Sequence, residues 1–402
     1  LAIIVPLLPY LIVFLGSLYH PRDPDLGWHL RYGEYFFTHG EILRANTFSQ
    51  LMPDFLWVNS SWMTDLISYV AYQWSGFLGL ALASSAVVTL TAFFFSRWAK
   101  LTWWDEIFLF PLLLFLLEPV ISVSFRGQLI SLLFLGILFY LFRLYKEGKR
   151  GVLFLIPPLF ALWGNLHGQF FMGLVLFGLW ILVSIVVDRA RHDHLLVAFV
   201  VSAAAALINP FGAGIYEEAL IHIRNPDLQL VAEYLPIDER SGIWRNHTLV
   251  TGILILGGTY LVFTDRWRRL RPEMAILLLL YGLSFWVRRY AWPFYWFSLF
   301  ALQPLASQLA PPNQMSRYIS AGVIGAGVLA SVVLLKTPVS QFTSMTWESY
   351  CRLAFCSPKA AETVTTLDRG EKLFTTYDFG GWLIWNYRQI LPTIDGRMHL
   401  WR

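Results

Sequence analysis

"LAIIVPLLPYLIVFLGSLY" (residues 1–19) runs straight into "HPRDPDLGWHLRYGEYFFTHGEIL" (residues 20–43), and that junction decides how the chain is read. Nineteen almost wholly apolar residues approach the length of helix that crosses a hydrocarbon core. They give way at once to histidines, aromatics and two aspartates, Asp23 and Asp25, two positions apart. Paired acids at the mouth of an apolar run read as the wet face of a membrane protein. A secretory leader fits poorly, because the run has no basic start and no small-residue cleavage site.

The rest of the chain agrees. It is 56% hydrophobic and 14% charged over 402 residues, with mean hydropathy +0.54; a soluble protein carries about a quarter charged residues. Apolar runs recur near 1–19, 75–97, 105–122, 128–146, 152–165, 169–187, 195–209, 248–264, 272–287, 290–308 and 317–336, which gives eleven expected spans. "WMTDLISYVAYQW" (62–74) is amphipathic and is expected to lie at the interface. The fifth run carries Pro157 and Pro158 and is expected to be bent, tilted or partly re-entrant. One alternating set of connections holds 13 Lys and Arg in about 41 positions; the other holds 9 in about 97. The basic set is therefore cytoplasmic. The first loop (20–74), the large loop (209–247) and the tail from about 337 fall outside. The net charge of +4 belongs to these loops and argues for no nucleic-acid partner.

Composition shifts in the tail, 337–402, which reads as a small extracytoplasmic α/β domain following a transmembrane domain over 1–336. A short helix is expected over 358–368, and "KLFTTY" and "WLIWNY" read as strands about a Gly-Gly turn. The two cysteines, Cys351 and Cys356, are suited to a local disulfide on the oxidising side; two free thiols are the alternative. The chain begins with Leu1 and stops at Arg402 without a finishing element, so the full protein is expected to extend further. No repeat, Walker A loop, dinucleotide fingerprint, metal-type cysteine pair or G-x-S-x-G elbow is present.

Carboxylates at i and i+2 repel unless solvated or bridged. A hard cation such as Mg²⁺ or Mn²⁺ bridges carboxylates and binds phosphate oxygens at the same time. Arg31 can grip a phosphate bidentately, and Trp28 can stack on a sugar or anchor the loop among headgroups. An ordinary interfacial loop with an aromatic belt is the alternative.

The order of residues in "DPDLGWHLRYGEYFFTHGEILRANTFS" (23–49) and "FLWVNSSWMTDLISYVAYQWSG" (55–76) resembles the first external loop of GT-C-type glycosyltransferases. It is most similar to the catalytic subunit of archaeal oligosaccharyltransferase and to related bacterial membrane proteins. "LWGNLHGQFFMGL" (162–174), "ALINPFGAGIYEEAL" (206–220) and "VRRYAWPFYW" (287–296) resemble the bacterial group too. The resemblance implies a polytopic all-α GT-C-like fold in a bacterial inner membrane. It implies transfer of a sugar or glycan from a polyprenyl-phosphate or -pyrophosphate donor to a glycan, lipid or protein acceptor, with Asp23 and Asp25 as the acidic motif beside His29 and Arg31. "TYDFGGWLIWNYRQILPTIDGR" (376–397) faintly resembles the Trp-Trp-Asp-Tyr-Gly region that reads the acceptor. Tyr377-Asp378-Phe379-Gly380 stands there without the Trp pair, which puts recognition of a protein sequon in question.

Further site residues follow. Glu118, near the outer end of the third span, is an expensive charge. The resemblance makes it a second metal ligand with Asp23 and Asp25, while a simple ion pair with Arg126 is the alternative. His167 is a ligand or base, or else a satisfied polar contact. Arg288 and Arg289 bind phosphate or snorkel to headgroups. Glu233 belongs to the large loop that covers the cavity in the family. Metal-assisted, inverting transfer with Asp25 as base is the expected activity. A non-catalytic GT-C-like scaffold subunit with membrane-protein partners is the alternative, and the 18 Trp and 32 Phe suit lipid and partner contacts as well as sugar. The tripeptides at Asn59 and Asn246 are sequons that arise often by chance.

Overall fold

The computed structural model describes residues 5–53, 55–123, 125–188, 193–225, 228, 231–263, 271–335, 342–353, 357–368, 371 and 373–397. Its helices are α1 (Leu8–Gly16), α2 (Leu26–His39), α3 (Trp62–Ala99), α4 (Trp103–Ile121), α5 (Gly127–Lys146), α6 (Ile156–Leu166), α7 (Phe170–Asp188), α8 (Asp193–Ala205), α9 (Gly214–Arg224), α10 (Trp244–Phe263), α11 (Arg271–Trp286), α12 (Ala291–Gln308), α13 (Gln314–Leu335), α14 (Trp347–Leu353), α15 (Pro358–Val364) and α16 (Tyr377–Asn386).

A helix lies on each of the eleven apolar runs. Among the described residues, three are long and apolar enough to cross a membrane: Trp62–Ala99, Gly127–Lys146 and Gln314–Val332. Other apolar helices are shorter, including Arg150–Leu166 and Phe170–Val186. Local chemistry accounts for several boundaries. Helical geometry breaks inside α3 at Ser75 and at Gly76, whose φ of +59° favours glycine. The amphipathic 62–74 segment is thereby set apart from the apolar length after it. A 3₁₀ turn over Arg150–Leu155 leads into α6, whose first turn holds Pro157 and Pro158. Thr102 and Asp105 cap α4 reciprocally: each side chain takes the other's backbone N–H.

Aromatic packing centres on α12, of which fourteen residues are buried. Phe95 stacks on Trp296 at 5.3 Å between centroids, and Phe139 meets Phe297 edge-on at 4.5 Å. Large apolar side chains on the outside, among them Phe154, Val186, Leu256 and Val323, stay exposed. An apolar surface around an apolar core is that of a protein solvated by lipid, and the chain is an integral membrane protein.

The tail departs from expectation. Among its described residues there is no sheet; Leu373 makes an isolated bridge to Pro392. "WLIWNY" belongs largely to helix α16. The Gly-Gly pair is not a turn: it lets backbones approach. A Cβ on Gly381 would run into the carbonyl of Pro24, and one on Gly380 would lie 2.7 Å from Cα of Asp395. By this means α16 settles against α2. Helix α15 falls inside the expected 358–368 stretch. Cys351 is buried and disulfide-bonded; Cys356 lies outside the described residues.

Candidate functional site

The site is assembled where helices begin and end. Asp23 and Asp25 stand immediately before α2, Arg126 immediately before α5, and His167 between α6 and α7. Glu233 and Arg289 sit in the 3₁₀ turns Ala232–Tyr234 and Arg288–Tyr290, and Asp378 in the first turn of α16. The Arg22 N–H donates to the Val123 carbonyl at 2.8 Å and ties the acidic loop to the loop that carries Arg126.

Both acids are buried. Arg126 Nε reaches Asp23 Oδ2 at 3.1 Å, and a terminal nitrogen of the same guanidinium reaches Asp25 Oδ2 at 2.9 Å. Oδ1 of Asp23 accepts the Asp25 N–H at 3.0 Å. Tyr350, from α14, donates its hydroxyl to the Asp23 carbonyl. Burial pushes the Asp23 carboxyl above its usual range; Arg126 pulls it back, and Asp25 pushes it up again. Burial works against the Arg126 charge, but Asp23 and Asp25 outweigh it and hold the guanidinium more firmly protonated. Burial and the nearby Asp25 also raise Asp378, so a third carboxyl feels the pair.

The tail forms one wall. A Cβ on Gly396 would run into Oδ1 of Asp25. The Gly396 carbonyl accepts from the Tyr377 hydroxyl at 2.9 Å. Next to it, Arg397 is buried, paired with Asp395 at 2.7 Å and set over the Trp57 ring at 4.7 Å.

A second group extends from the other side of Arg126. Gln128 donates to Glu233, which lies 3.6 Å from Arg289. Arg289 donates to the Tyr234 hydroxyl and, at 3.5 Å, to Nε2 of His167. Nδ1 of His167 meets Ser131 Oγ at 2.8 Å, and that oxygen also accepts from Trp163 Nε1 at 2.8 Å. Burial, then Arg289 and Arg126, hold the His167 pKa well below the ordinary histidine value, so the ring stays neutral. Gly127 is required here, since a Cβ would collide with that ring.

The sequence-derived candidates divide accordingly. Asp23 and Asp25 contact Arg126, whose charge also reaches Glu233, His167 and Arg289, and Asp378 lies near Asp25. His29 stands close by, but its Nδ1 is held by Asp65 at 2.6 Å, and Asn59 donates to the other Asp65 oxygen at 2.7 Å. Asn59 is thus buried beneath the site, not displayed as a sequon. Four expected residues are not brought in. Arg31 pairs with Glu34 on its own helix, and Glu34 also holds Arg388 at 2.6 Å. Arg288 turns toward the Pro236 carbonyl at 3.5 Å. Trp28 is buried, stacked on His29 at 3.6 Å and edge-on to Trp57, so no face is open to a sugar. Glu118 is half-buried on α4, where its charge acts on Tyr19; Arg126 pairs with the aspartates instead.

Sequence reading missed Asp65, Gln128, Tyr234, Tyr350 and the 395–397 segment. Thr64, Asp65 and Ser68 do share one buried face of the 62–74 helix, a polar stripe at i, i+1, i+4 that can be recognised in advance. Donors for a divalent ion are not assembled. Asp23 and Asp25 close on a guanidinium, and among the described residues no three His, Cys, Asp or Glu side chains group to hold a metal.

No family model matches the chain, and no curated protein matches it in sequence. Among solved structures, the apo crystal structure of the oligosaccharyltransferase of Archaeoglobus fulgidus is similar, with a TM-score of 0.58 at 12% identity. The match covers 98% of this chain and 64% of that one, so the chain spans less than two thirds of that protein's length. The two share a fold.

Proposed function

We propose that the protein transfers a sugar or glycan from a polyprenyl-phosphate or -pyrophosphate donor to an acceptor hydroxyl or amide at the outer face of a bacterial inner membrane, which it crosses eleven times. The observation that carries this reading is the buried pair Asp23–Asp25 at the head of α2, held by Arg126 within an oligosaccharyltransferase-like fold. Asp25 has the more open side chain of the two, 11% exposed against 1%. It takes the proton of the acceptor as the acceptor's lone pair attacks the anomeric carbon. The bond from that carbon to the phosphate oxygen breaks, its electrons leave with the polyprenyl phosphate, and the centre inverts. Arg126 and Arg289 stabilise the charge that gathers on the leaving group. No step is routed through a divalent ion.

A second reading keeps the scaffold and drops the chemistry. The seating of Gly396 against Asp25 favours it, because an acid covered by its own chain is not offered to an acceptor. Purified protein in nanodiscs, incubated with a panel of lipid-linked sugars and acceptors, separates the two. Product that depends on Asp25 supports transfer. No product from any donor favours the scaffold, and full activity in both Asp23→Asn and Asp25→Asn removes the two acids from the reaction.

A further inference from the structure

The two oxygens that a bridging cation would use are already taken. Asp23 Oδ2 and Asp25 Oδ2 both point at one guanidinium, at 3.1 and 2.9 Å. Nor is Arg126 a loose surface charge. Its backbone is extended (φ −125°, ψ 158°) at the head of α5, and the next residue, Gly127, lies hard against the His167 ring. The preceding loop is anchored to the acidic loop through the Val123 carbonyl. Swinging the guanidinium out would strand two buried carboxylates side by side, the costliest arrangement for such a pair. A hard divalent ion seeks about six oxygens, and among the described residues no third acid or histidine joins the pair, so an ion here would need both carboxylates free of Arg126 and water for the rest.

We propose that Arg126 is the resident cation of this site, occupying the position between Asp23 and Asp25 that Mg²⁺ or Mn²⁺ would otherwise take. A guanidinium carries five N–H donors, so two carboxylate contacts leave donors for an anion such as a phosphate. The positive charge facing that anion is then part of the chain and does not exchange with solvent. This inference concerns the ion and not the reaction, so it stands or falls separately from sugar transfer.

Mn²⁺ titration of the full chain in nanodiscs, followed by electron paramagnetic resonance, tests it. Wild type and Asp25→Asn should bind Mn²⁺ indistinguishably. Arg126→Ala frees the two carboxylates and should gain a site, lost again by at least about tenfold in Arg126→Ala/Asp25→Asn. A wild-type site that Asp25→Asn removes overturns the proposal, as does a folded Arg126→Ala that gains none. If Arg126→Ala does not fold, wild-type thermal stability decides. No shift with millimolar Mg²⁺ supports the resident arginine, and a rise that Asp25→Asn abolishes overturns it.

Discussion

At the head of α4, Oε1 of Glu106 takes three hydrogen bonds, from Tyr10 at 2.5 Å, from Arg97 at 2.9 Å and from Ser96. Past its far end, roughly 24 Å away at 1.5 Å per residue, Asp23 and Asp25 share one guanidinium. Both clusters are buried and each has a single arginine. They differ in how completely they are satisfied. Glu106 has one charge, one counter-charge and two hydroxyls, all from helices that pack together anyway; such a network rigidifies a core. The aspartate pair has two negative charges against one positive, and Asp23 Oδ2 has no hydrogen bond beyond the ion pair. An under-neutralised site built from loops in distant parts of the chain is poorly suited to stability and well suited to chemistry.

Breaking each cluster in turn is the strongest test. Asp25→Asn should cut transfer about 10²–10⁴-fold, the usual worth of a positioned base, while leaving the unfolding temperature close to wild type. Glu106→Gln should do the reverse. It weakens a charge-assisted network by about 2 kcal/mol, read as a lower unfolding temperature in tryptophan fluorescence, with turnover per folded molecule within about threefold of wild type. Equal losses of activity in both variants would erase the distinction.

A smaller effect tests the wall of the aspartate site. Gly396→Ala places a methyl group against the Asp25 carboxylate. Overpacking of this kind costs about 1–3 kcal/mol, so stability should fall and Asp25 should be displaced, with reduced transfer. Gly242, where an added Cβ meets open space, is the control, and Gly242→Ala should be neutral. Matching behaviour in the two variants would mean that 395–397 does not seat on the acid.

The contrast between clusters also explains what the sequence disclosed. Period and hydropathy located every long apolar helix, because lipid enforces one simple composition over many consecutive residues. The paired acids were visible for the same reason: Asp23 and Asp25 are conspicuous beside an apolar run. Their partner was harder to find. Arg126 was matched with Glu118, its neighbour along the chain, whereas the fold hands it to residues a hundred positions earlier. Glu106 drew no notice because an acid in the first turn of a helix is commonplace. In the tail, Gly380-Gly381 read as a turn because the backbone that needs Gly381, at Pro24, is more than three hundred residues away, and the one that needs Gly380, at Asp395, lies beyond the helix.

Titration yields the subtlest test, because the two halves of the Arg126 site respond to pH with opposite sign. His167 has its pKa held well below 6.5 in the fold, chiefly by burial. An unfolded chain takes up that proton near 6.5 and the folded one does not. The contribution of His167 is therefore complete above 6.5 and is lost as pH falls from there toward the depressed value, at about 1.4 kcal/mol per unit. Asp23 has its pKa raised by burial, so its contribution is complete below 3.8 and is lost as pH climbs through the raised value. Unfolding temperatures measured between pH 4 and pH 8, about the span in which these side chains titrate, should show a weaker acid-side loss in His167→Gln than in wild type. Asp23→Asn should relieve a penalty at the neutral end and keep the acid-side loss. If His167→Gln leaves the acid limb unchanged, the imidazole is not the neutral, buried link between Ser131 and Arg289 that the structure describes.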